Sequence, residues 1–198
     1  MPKLVDHDVR REELVRAAWR VIAERGIDEL TIREIARQAG YSSGVLAHYF
    51  ENKDDLLAHA SRMSHELIYE RYEAEVDTPL KRDALREVLL DNLPLDAQRD
   101  LETRIEMSFW ARSLRNSSLS AIQDEKSKHL RGLIKQLVKG SQSEGAIAEE
   151  HNADRVVDLL AALIDGISLH ALLYPDRMTK RRQRATMEFA LALLAPES

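Results

Sequence analysis

The stretch TIREIARQAGYSSGVLAHYFENKDDLL, residues 31–57, decides how this chain folds and what it can contact. Thr31 stands before an apolar-periodic segment and can cap a helix, because its hydroxyl can accept a hydrogen bond from a backbone N–H two or three residues on. Gly40 can end that helix, since glycine tolerates the left-handed conformation. A second short helix follows from the next serines to about Tyr49. Two short helices joined by a glycine turn have the dimensions of a helix-turn-helix unit.

The second helix of this pair is short, rich in hydroxyl groups and free of formal cations. Leu46 and Phe50, four residues apart, would anchor its inner face. A helix that enters the major groove of DNA needs small residues at its start and hydrogen-bonding side chains on its exposed face. These are supplied by Ser42, Ser43, Gly44, His48 and Tyr49. Taken singly, each would be an ordinary surface, core or capping residue, so the prediction of DNA binding rests on their joint spacing.

The rest of the chain is also predicted to be helical, because strand-like alternation is missing and glycine and proline occur near plausible helix ends. The sequence therefore predicts an all-α fold of nine helices. Thr78 and Pro79 would open the fifth helix as its cap and first position. The expected helices cover about residues 8–25, 31–39, 42–49, 52–75, 78–92, 96–114, 117–143, 152–174 and 179–194.

The opening stretch resembles the DNA-binding signature of the TetR family of transcriptional regulators. In that signature a capped helix and a glycine turn lead to a Ser-x-Gly start, a His-Tyr-Phe segment and a lysine that opens helix four. The matching landmarks are Thr31, Ile35, Ala36, Gly40, Ser42, Gly44, Leu46, Tyr49, Phe50, Lys53 and Leu56. The forms SSGVLAHYF and LLAALIDGISLHALL most resemble the BetI-type branch. The resemblance implies a TetR-like fold, with a three-helix DNA-binding domain followed by a larger helical domain.

The resemblance also implies which residues contact DNA. Thr31 would contact phosphate at the start of helix two, and Arg33 would reach the DNA backbone or a base. The full expected set is Thr31, Arg33, Ser42, Ser43, Gly44, His48, Tyr49 and Lys53. Ser43 stands where many relatives have lysine, and Ala47 where many have an aromatic residue. We therefore expect few bidentate guanine contacts and more reliance on hydroxyls, backbone donors and DNA shape.

A helix-turn-helix unit alone would bind DNA constitutively, so the other two thirds of the chain are expected to hold an input and a dimer contact. We predict a DNA-binding domain over residues 1–53 and a ligand-binding and dimerisation domain over residues 54–198. The last two helices carry more apolar residues than one buried stripe requires, so two copies would form a four-helix interface. The predicted interface residues are Leu159, Leu163, Ile167, Tyr174, Met187, Leu191 and Leu194. Alternatively, both helices complete the core of the monomer.

A set of apolar, aromatic and polar residues in the second domain is a candidate ligand site. Trp110, with Tyr69 or Tyr72, could cage a quaternary ammonium group by cation–π attraction, and Glu106 could add charge. The predicted ligand-binding residues are Met63, Leu67, Glu106, Phe109, Trp110, Asp165 and His170. Such Met and aromatic clusters at helical spacing are more often core, so this alternative stays open.

Composition excludes several other classes of protein. The chain has no cysteine, so disulfides and thiolate metal sites are excluded, and it lacks the phosphate-loop, zinc-protease and hydrolase motifs. We expect no enzyme activity, no cofactor and no metal.

The start lacks the apolar core of a signal peptide. The apolar run over residues 156–174 contains two aspartates, which favours a buried helix over a membrane span. The net charge of −5 argues against non-specific coating of DNA.

The sequence therefore predicts a cytoplasmic, homodimeric repressor that binds a palindromic operator in double-stranded DNA and is released by a small-molecule effector. The alternative is a helical adaptor that keeps the TetR-like fold but has lost DNA reading, because its recognition helix has no formal cation.

Overall fold

The computed structural model of the protein describes residues 7–26, 30–76 and 83–196, without the side chains of residues 23, 69 and 72–76. Within these ranges the chain forms nine α-helices and no strand, which confirms the predicted all-α fold. The helices are α1 (His7–Arg25), α2 (Ile32–Ala39), α3 (Ser43–Leu46), α4 (Lys53–Val76), α5 (Ala84–Asp91), α6 (Ala97–Ser113), α7 (Ser117–Ser143), α8 (Ala153–Leu173) and α9 (Lys180–Leu193). The predicted opening of the fifth helix at Thr78 and Pro79 lies outside the described residues.

Side-chain caps fix where several helices begin. Thr31 accepts a hydrogen bond from the backbone N–H three residues on at 3.1 Å. Asn52 accepts bonds from the N–H groups two and three residues on, at 2.8 and 3.0 Å, and Asn152 does the same at 3.0 and 3.2 Å. Each cap satisfies backbone donors that the first turn of a helix leaves without an intrahelical partner. The polar residues placed at these starts therefore determine the boundaries of α2, α4 and α8.

The chain divides into two compact units. The first contains the described parts of residues 1–66 together with residues 104–122. Its core includes one face of α1, where Leu14 and Ala18 have no exposed surface, and the anchors Leu46 and Phe50, at 0% and 2% exposure. Ile105 and Phe109 of α6 are also fully buried. The first unit is thus assembled from two separate segments of the chain.

The second unit contains the described parts of residues 67–103 and 123–198. Its core is built from one face each of α5, α7, α8 and α9, with residues of the connecting loops. The largest fully buried side chains there are Leu89, Leu93, Ile134 and Leu160. The backbone N–H of Ala148 donates to the carbonyl of Leu194 at 2.9 Å, which ties the loop before α8 to the end of α9.

A network of four charged side chains lies inside the second unit. Arg71 donates to Asp91 at 3.0 Å and to both carboxylate oxygens of Glu102 at 3.1 and 2.9 Å. Arg99 pairs with Asp91 at 2.8 Å. The two carboxylate side chains are only 9% and 5% exposed, so their charges depend on these guanidinium groups in place of water. The network joins α4, α5 and α6 within this unit.

Among the described residues, α8 is the one helix long and apolar enough to cross a membrane by length and composition. One face of α8, which includes Val156, Leu160 and Ile164, is buried in the core of the second unit. Asp158 on the same helix contacts Arg131 of α7. These contacts place one face of α8 in the core of the second unit.

The division into compact units does not fall at residue 53. Leu56 and Leu57 of α4 are fully buried, and they belong to the same unit as α1, α2 and α3. The boundary at residue 53 describes a division of function, and it stays a prediction.

Candidate nucleic-acid interface

The α2–turn–α3 unit has the geometry of a helix-turn-helix. Gly40 ends α2 with φ 76° and ψ 25°, in the left-handed region that favours glycine. The N–H of Gly40 donates to the carbonyl of Arg37 at 3.3 Å, and that of Tyr41 to the carbonyl of Ala36 at 2.8 Å. These bonds satisfy the carbonyls that the helix end exposes. The glycine turn predicted from the sequence is therefore present.

The start of α2 has a side-chain cap but not the reciprocal bond of a capping box. Thr31 caps the helix, but the carboxylate of Glu34 pairs with Arg37 at 2.5 Å and with Arg25 at 2.9 Å instead of reaching back to the cap. The hydrogen bond from Arg37 holds the pKa of Glu34 below its ordinary value, and nearby charges add to this effect. The carboxylate therefore stays ionised and links α2 to the end of α1.

Helix α3 is shorter than predicted. It ends at Leu46 instead of near Tyr49, and the next residues continue as a hydrogen-bonded turn. In that turn the N–H of Tyr49 donates to the carbonyl of Leu46 at 2.9 Å. The anchors Leu46 and Phe50 are buried as expected. The inner face of this segment therefore packs in the core of the first unit, and its outer face is exposed.

Most of the predicted DNA-binding residues are exposed. Tyr49 and Lys53 are half-buried, and Lys53 is the first residue of α4. The exposed members are Thr31, Arg33, Ser42, Ser43, Gly44 and His48. All eight belong to the first unit, where they lie on or next to α2, α3 and the start of α4.

The chain itself does not require glycine at position 44. A Cβ atom added there would meet only the Ser42 hydroxyl, at the ordinary distance of 3.8 Å, and Gly44 does not adopt a positive φ. This differs from Gly40, whose backbone conformation favours glycine. The missing side chain at Gly44 leaves the backbone at the start of α3 open to an approaching group.

The predicted ligand-binding residues are divided between the two units. Met63, Glu106, Phe109 and Trp110 lie in the first unit, and Leu67, Asp165 and His170 lie in the second. Asp165 and His170 are exposed on α8, so they are not polar groups of an interior pocket in the second unit.

Two of the ligand-site residues contact each other in the first unit. Trp110 donates its indole N–H to Glu106 at 2.8 Å, and both side chains are half-buried on α6. Phe109 between them in sequence is fully buried. The side chains of Tyr69 and Tyr72 lie outside the described residues.

The predicted dimer residues separate into surface and core. Leu159 and Tyr174 are 51% and 48% exposed. Leu163 and Leu191 are half-buried against the core. Ile167, Met187 and Leu194 are buried within the second unit of the same chain, at 2%, 0% and 7% exposure, and have no surface to offer a partner. The prediction that Ile167, Met187 and Leu194 contact a partner is therefore wrong.

Four large apolar side chains that the sequence did not predict for the interface are exposed on the last two helices, in addition to Leu159. The exposed apolar set of α8 and α9 comprises Leu159, Leu169, Leu173, Phe189 and Leu193. The spacing of these residues in the sequence already indicates that those on each helix share a face. Leu159, Leu169 and Leu173 fall on one helical stripe with Ala162 and Gly166, and Phe189 and Leu193 are four residues apart.

Comparison with known proteins agrees with this geometry. The sequence model of the bacterial regulatory proteins of the TetR family matches residues 14–60. The model of the C-terminal region of BetI-type transcriptional repressors matches residues 81–196. Fold and interface define a helix-turn-helix transcriptional regulator that binds DNA, not an enzyme. The chain belongs to the TetR family, with a C-terminal region of the BetI type.

Individual relatives span almost the whole chain. The HTH-type transcriptional regulator PksA of Bacillus subtilis is 35% identical and covers 92% of this chain and 88% of its own length. BetI of Escherichia coli strain K12 is 30% identical and covers 92% of each chain. A transcriptional regulator from Rhodococcus sp. Rha1 superposes with a TM-score of 0.80 at 25% identity, over 93% of this chain and 95% of its own. A putative regulator from Saccharomonospora viridis in complex with choline has a TM-score of 0.83 at 23% identity, over 96% and 100%.

Proposed function

We propose that the protein acts in the cytoplasm as a homodimeric repressor that binds a palindromic operator and leaves it when a small-molecule effector binds. The observation that carries this proposal is the exposed, polar and uncharged outer face of α3. Ser42, Ser43, Gly44 and His48 are exposed there, while Leu46 and Phe50 are buried beneath them. A helix held by its inner face and offering hydrogen-bonding groups on its outer face suits the major groove.

Each predicted contact has a distinct role in this proposal. Thr31 at the start of α2 and Tyr49 and Lys53 after α3 contact phosphates and fix the register of the protein on the duplex. Arg33 of α2 contacts the DNA backbone or an adjacent base. Ser42, Ser43 and His48 face base edges, and the open backbone at Gly44 allows close approach. Because α3 carries no formal cation, sequence preference would come from hydroxyl contacts and DNA shape.

A dimer follows from the exposed apolar set of α8 and α9. Exposed large apolar side chains that cluster on adjacent helices mark an interaction surface. Two copies related by a two-fold axis would bury this set in a four-helix interface, with Tyr174 at its edge. Paired recognition helices would then read half-sites roughly 34–36 Å apart, one turn of DNA.

The effector is proposed to bind within residues 54–198, the predicted ligand-binding domain, and to be a quaternary ammonium compound. Trp110 and Glu106 place an aromatic ring and a carboxylate one turn apart on α6. That pair has the chemistry that attracts such a cation. The fold of the Saccharomonospora viridis regulator, described in complex with choline, supports the same class of effector.

A salt titration tests DNA binding directly. We expect a duplex selected from a random library to bind with an affinity that falls steeply with salt, because phosphate contacts release counterions. Lys53→Ala should reduce the slope of log affinity against log salt by about 0.9, the value for one phosphate contact. The measurement is fluorescence anisotropy at several salt concentrations.

The matched control is Lys128→Ala, which removes an exposed lysine of α7 that pairs with Asp124. Its salt slope should equal that of the wild type. If the wild-type chain showed no saturable binding to any selected duplex, the adaptor alternative would replace this proposal.

A further inference from the structure

The amino end of α1 contacts the chain on both sides of α3. The ring of His7, the first residue of α1, lies against the ring of Tyr49 just after α3, with centroids 4.3 Å apart and planes at 33°. The guanidinium of Arg10 lies over the ring of Tyr41 just before α3, 4.6 Å from its centroid. Two residues of the first turn of α1, three positions apart, therefore contact the chain just before and just after the recognition helix.

The contact on the Tyr41 side is reinforced. The hydroxyl of Tyr41 donates to Glu13 at 2.9 Å, and Glu13 pairs with Arg10 at 3.6 Å. These contacts join α1 to the start of α3 through side chains 28 residues apart in sequence. They hold the first turns of α1 against the α3 segment, so the position of His7 beside Tyr49 does not depend on the stacked pair alone.

His7 brings an ionisable nitrogen base next to a recognition segment that has no lysine or arginine of its own. The segment from Ser42 to Phe50 contains no lysine or arginine. His7 is exposed, and it stacks on Tyr49, which is proposed to contact phosphate. A protonated imidazole is further stabilised over an aromatic face. The stacked ring has also lost rotational freedom before DNA arrives, which lowers the entropic cost of a contact.

We propose that His7 is a further DNA-binding residue, whose imidazolium contacts the phosphate backbone beside Tyr49, so that operator binding takes up a proton. This inference rests on the proposed function. The recognition helix has no cation of its own, and in this proposal His7 of α1 supplies the positive charge beside it. That charge is present only when the imidazole is protonated.

The groups around His7 set the direction of the effect. Tyr49 faces it from the segment after α3, with His48 and Glu51 as exposed neighbours of that tyrosine in sequence. On its own helix, Asp8 follows and accepts a hydrogen bond from Arg11 at 3.0 Å. A phosphate placed beside the imidazole favours its charged form. The complex therefore holds more protons than the free partners, and operator affinity rises as pH falls.

The test compares the wild type with His7→Phe, which keeps a ring against Tyr49 but cannot be protonated. Affinity for a selected duplex is measured by fluorescence anisotropy at about pH 5.5 and about pH 8.0. The ratio of the two affinities should be about tenfold larger for the wild type, as expected for one charge-assisted contact. At the lower pH, the salt slope of the wild type should be steeper than that of His7→Phe by about 0.9.

The first unit also contains His48, His59 and His65, and all three are shared by the two proteins that the experiment compares. His59, whose pKa is lowered chiefly by burial, titrates equally in both proteins. His48 is removed by repeating the comparison in a His48→Gln background, where the effect of adding His7→Phe should persist. If the two proteins had equal ratios of affinity at the two pH values and equal salt slopes, the proposed role of His7 would be wrong, and the proposed function would still stand. Absence of duplex binding by the wild type at both pH values would overturn the proposed function as well.

Discussion

At the scale of single residues, two glycines four positions apart have opposite reasons to be present. Gly40 adopts φ 76°, where a side chain is strained whatever the space around it. Gly44 adopts no positive φ, and a Cβ there would meet one hydroxyl at 3.8 Å. The first glycine serves the fold of the turn. The second serves the surface that the turn presents.

This contrast gives a paired prediction. Gly40→Ala should lower the free energy of unfolding by about 1 kcal/mol, since alanine is disfavoured in the left-handed region. Gly44→Ala should leave that free energy unchanged or raise it slightly, because alanine favours helix, but it should weaken duplex binding by blocking backbone approach. Urea denaturation and anisotropy measure the two effects. A Gly44→Ala protein with wild-type affinity would contradict the proposed close approach.

Residue-level features differ in how far the sequence predicts them. Caps such as Thr31 and Asn52 were predictable, because they act on backbone groups two or three residues away. The contact between His7 and Tyr49 was not, because it joins positions far apart in the sequence and depends on how α1 packs beside α3. The ion pair between Glu34 and Arg25 was not predictable either, because Arg25 lies on another helix.

At the scale of elements, α8 and α9 each carry two apolar stripes. One stripe is buried in the second unit, and the other includes the exposed apolar set of α8 and α9. Helical periodicity reveals that both stripes exist, but it does not say which one faces the core of the same chain. Ile167, Met187 and Leu194 were assigned to the wrong stripe for this reason.

The exposed stripe can be tested without disturbing the buried one. Leu159→Glu combined with Phe189→Glu should convert the proposed dimer to a monomer, because two-fold pairing would bring like charges together in an apolar interface. Both side chains are exposed, so helicity by circular dichroism should be retained. Sedimentation equilibrium measures the mass.

The control for this experiment lies on the buried stripe. Met187→Ala should lower the unfolding free energy by about 2–5 kcal/mol through cavity formation, without a comparable effect on pairing in the folded protein. A double glutamate variant that stayed dimeric would place the dimer contact elsewhere.

At the scale of the whole molecule, the compact units are not the same as the segments of function predicted from sequence. The first unit takes in residues 104–122, although a long stretch of the second unit separates them from α4. The sequence indicated nine helices because each has local caps and periodicity. It did not indicate that part of α6 packs with the first helices, because periodicity shows that Ile105 and Phe109 are buried but not against which partner.

The effector proposal is tested on the intact protein. Choline added to the complex of protein and selected duplex should weaken DNA binding by roughly 5- to 150-fold at saturation, the usual range for coupling between two sites. Trp110→Ala should abolish this response, because it removes the aromatic face proposed to hold the cation. Competition anisotropy measures release.

Ionic strength is matched in this experiment with ammonium chloride, which supplies a cation without the quaternary methyl groups. Release of the duplex by both salts to the same extent would attribute the effect to screening, and an unchanged response in Trp110→Ala would remove α6 from the effector site.

The charged network of the second unit constrains how the protein can evolve. Asp91 and Glu102 are almost sealed from solvent, and Arg71 and Arg99 are their counterions. Replacing Arg71 leaves the buried Glu102 without a cation, and replacing any of the other three removes part of the charge compensation, which destabilises the fold more than exchanging the whole set for apolar residues. Natural selection would therefore tolerate joint replacements and purge single ones, so these four positions should covary among descendants of the same ancestor.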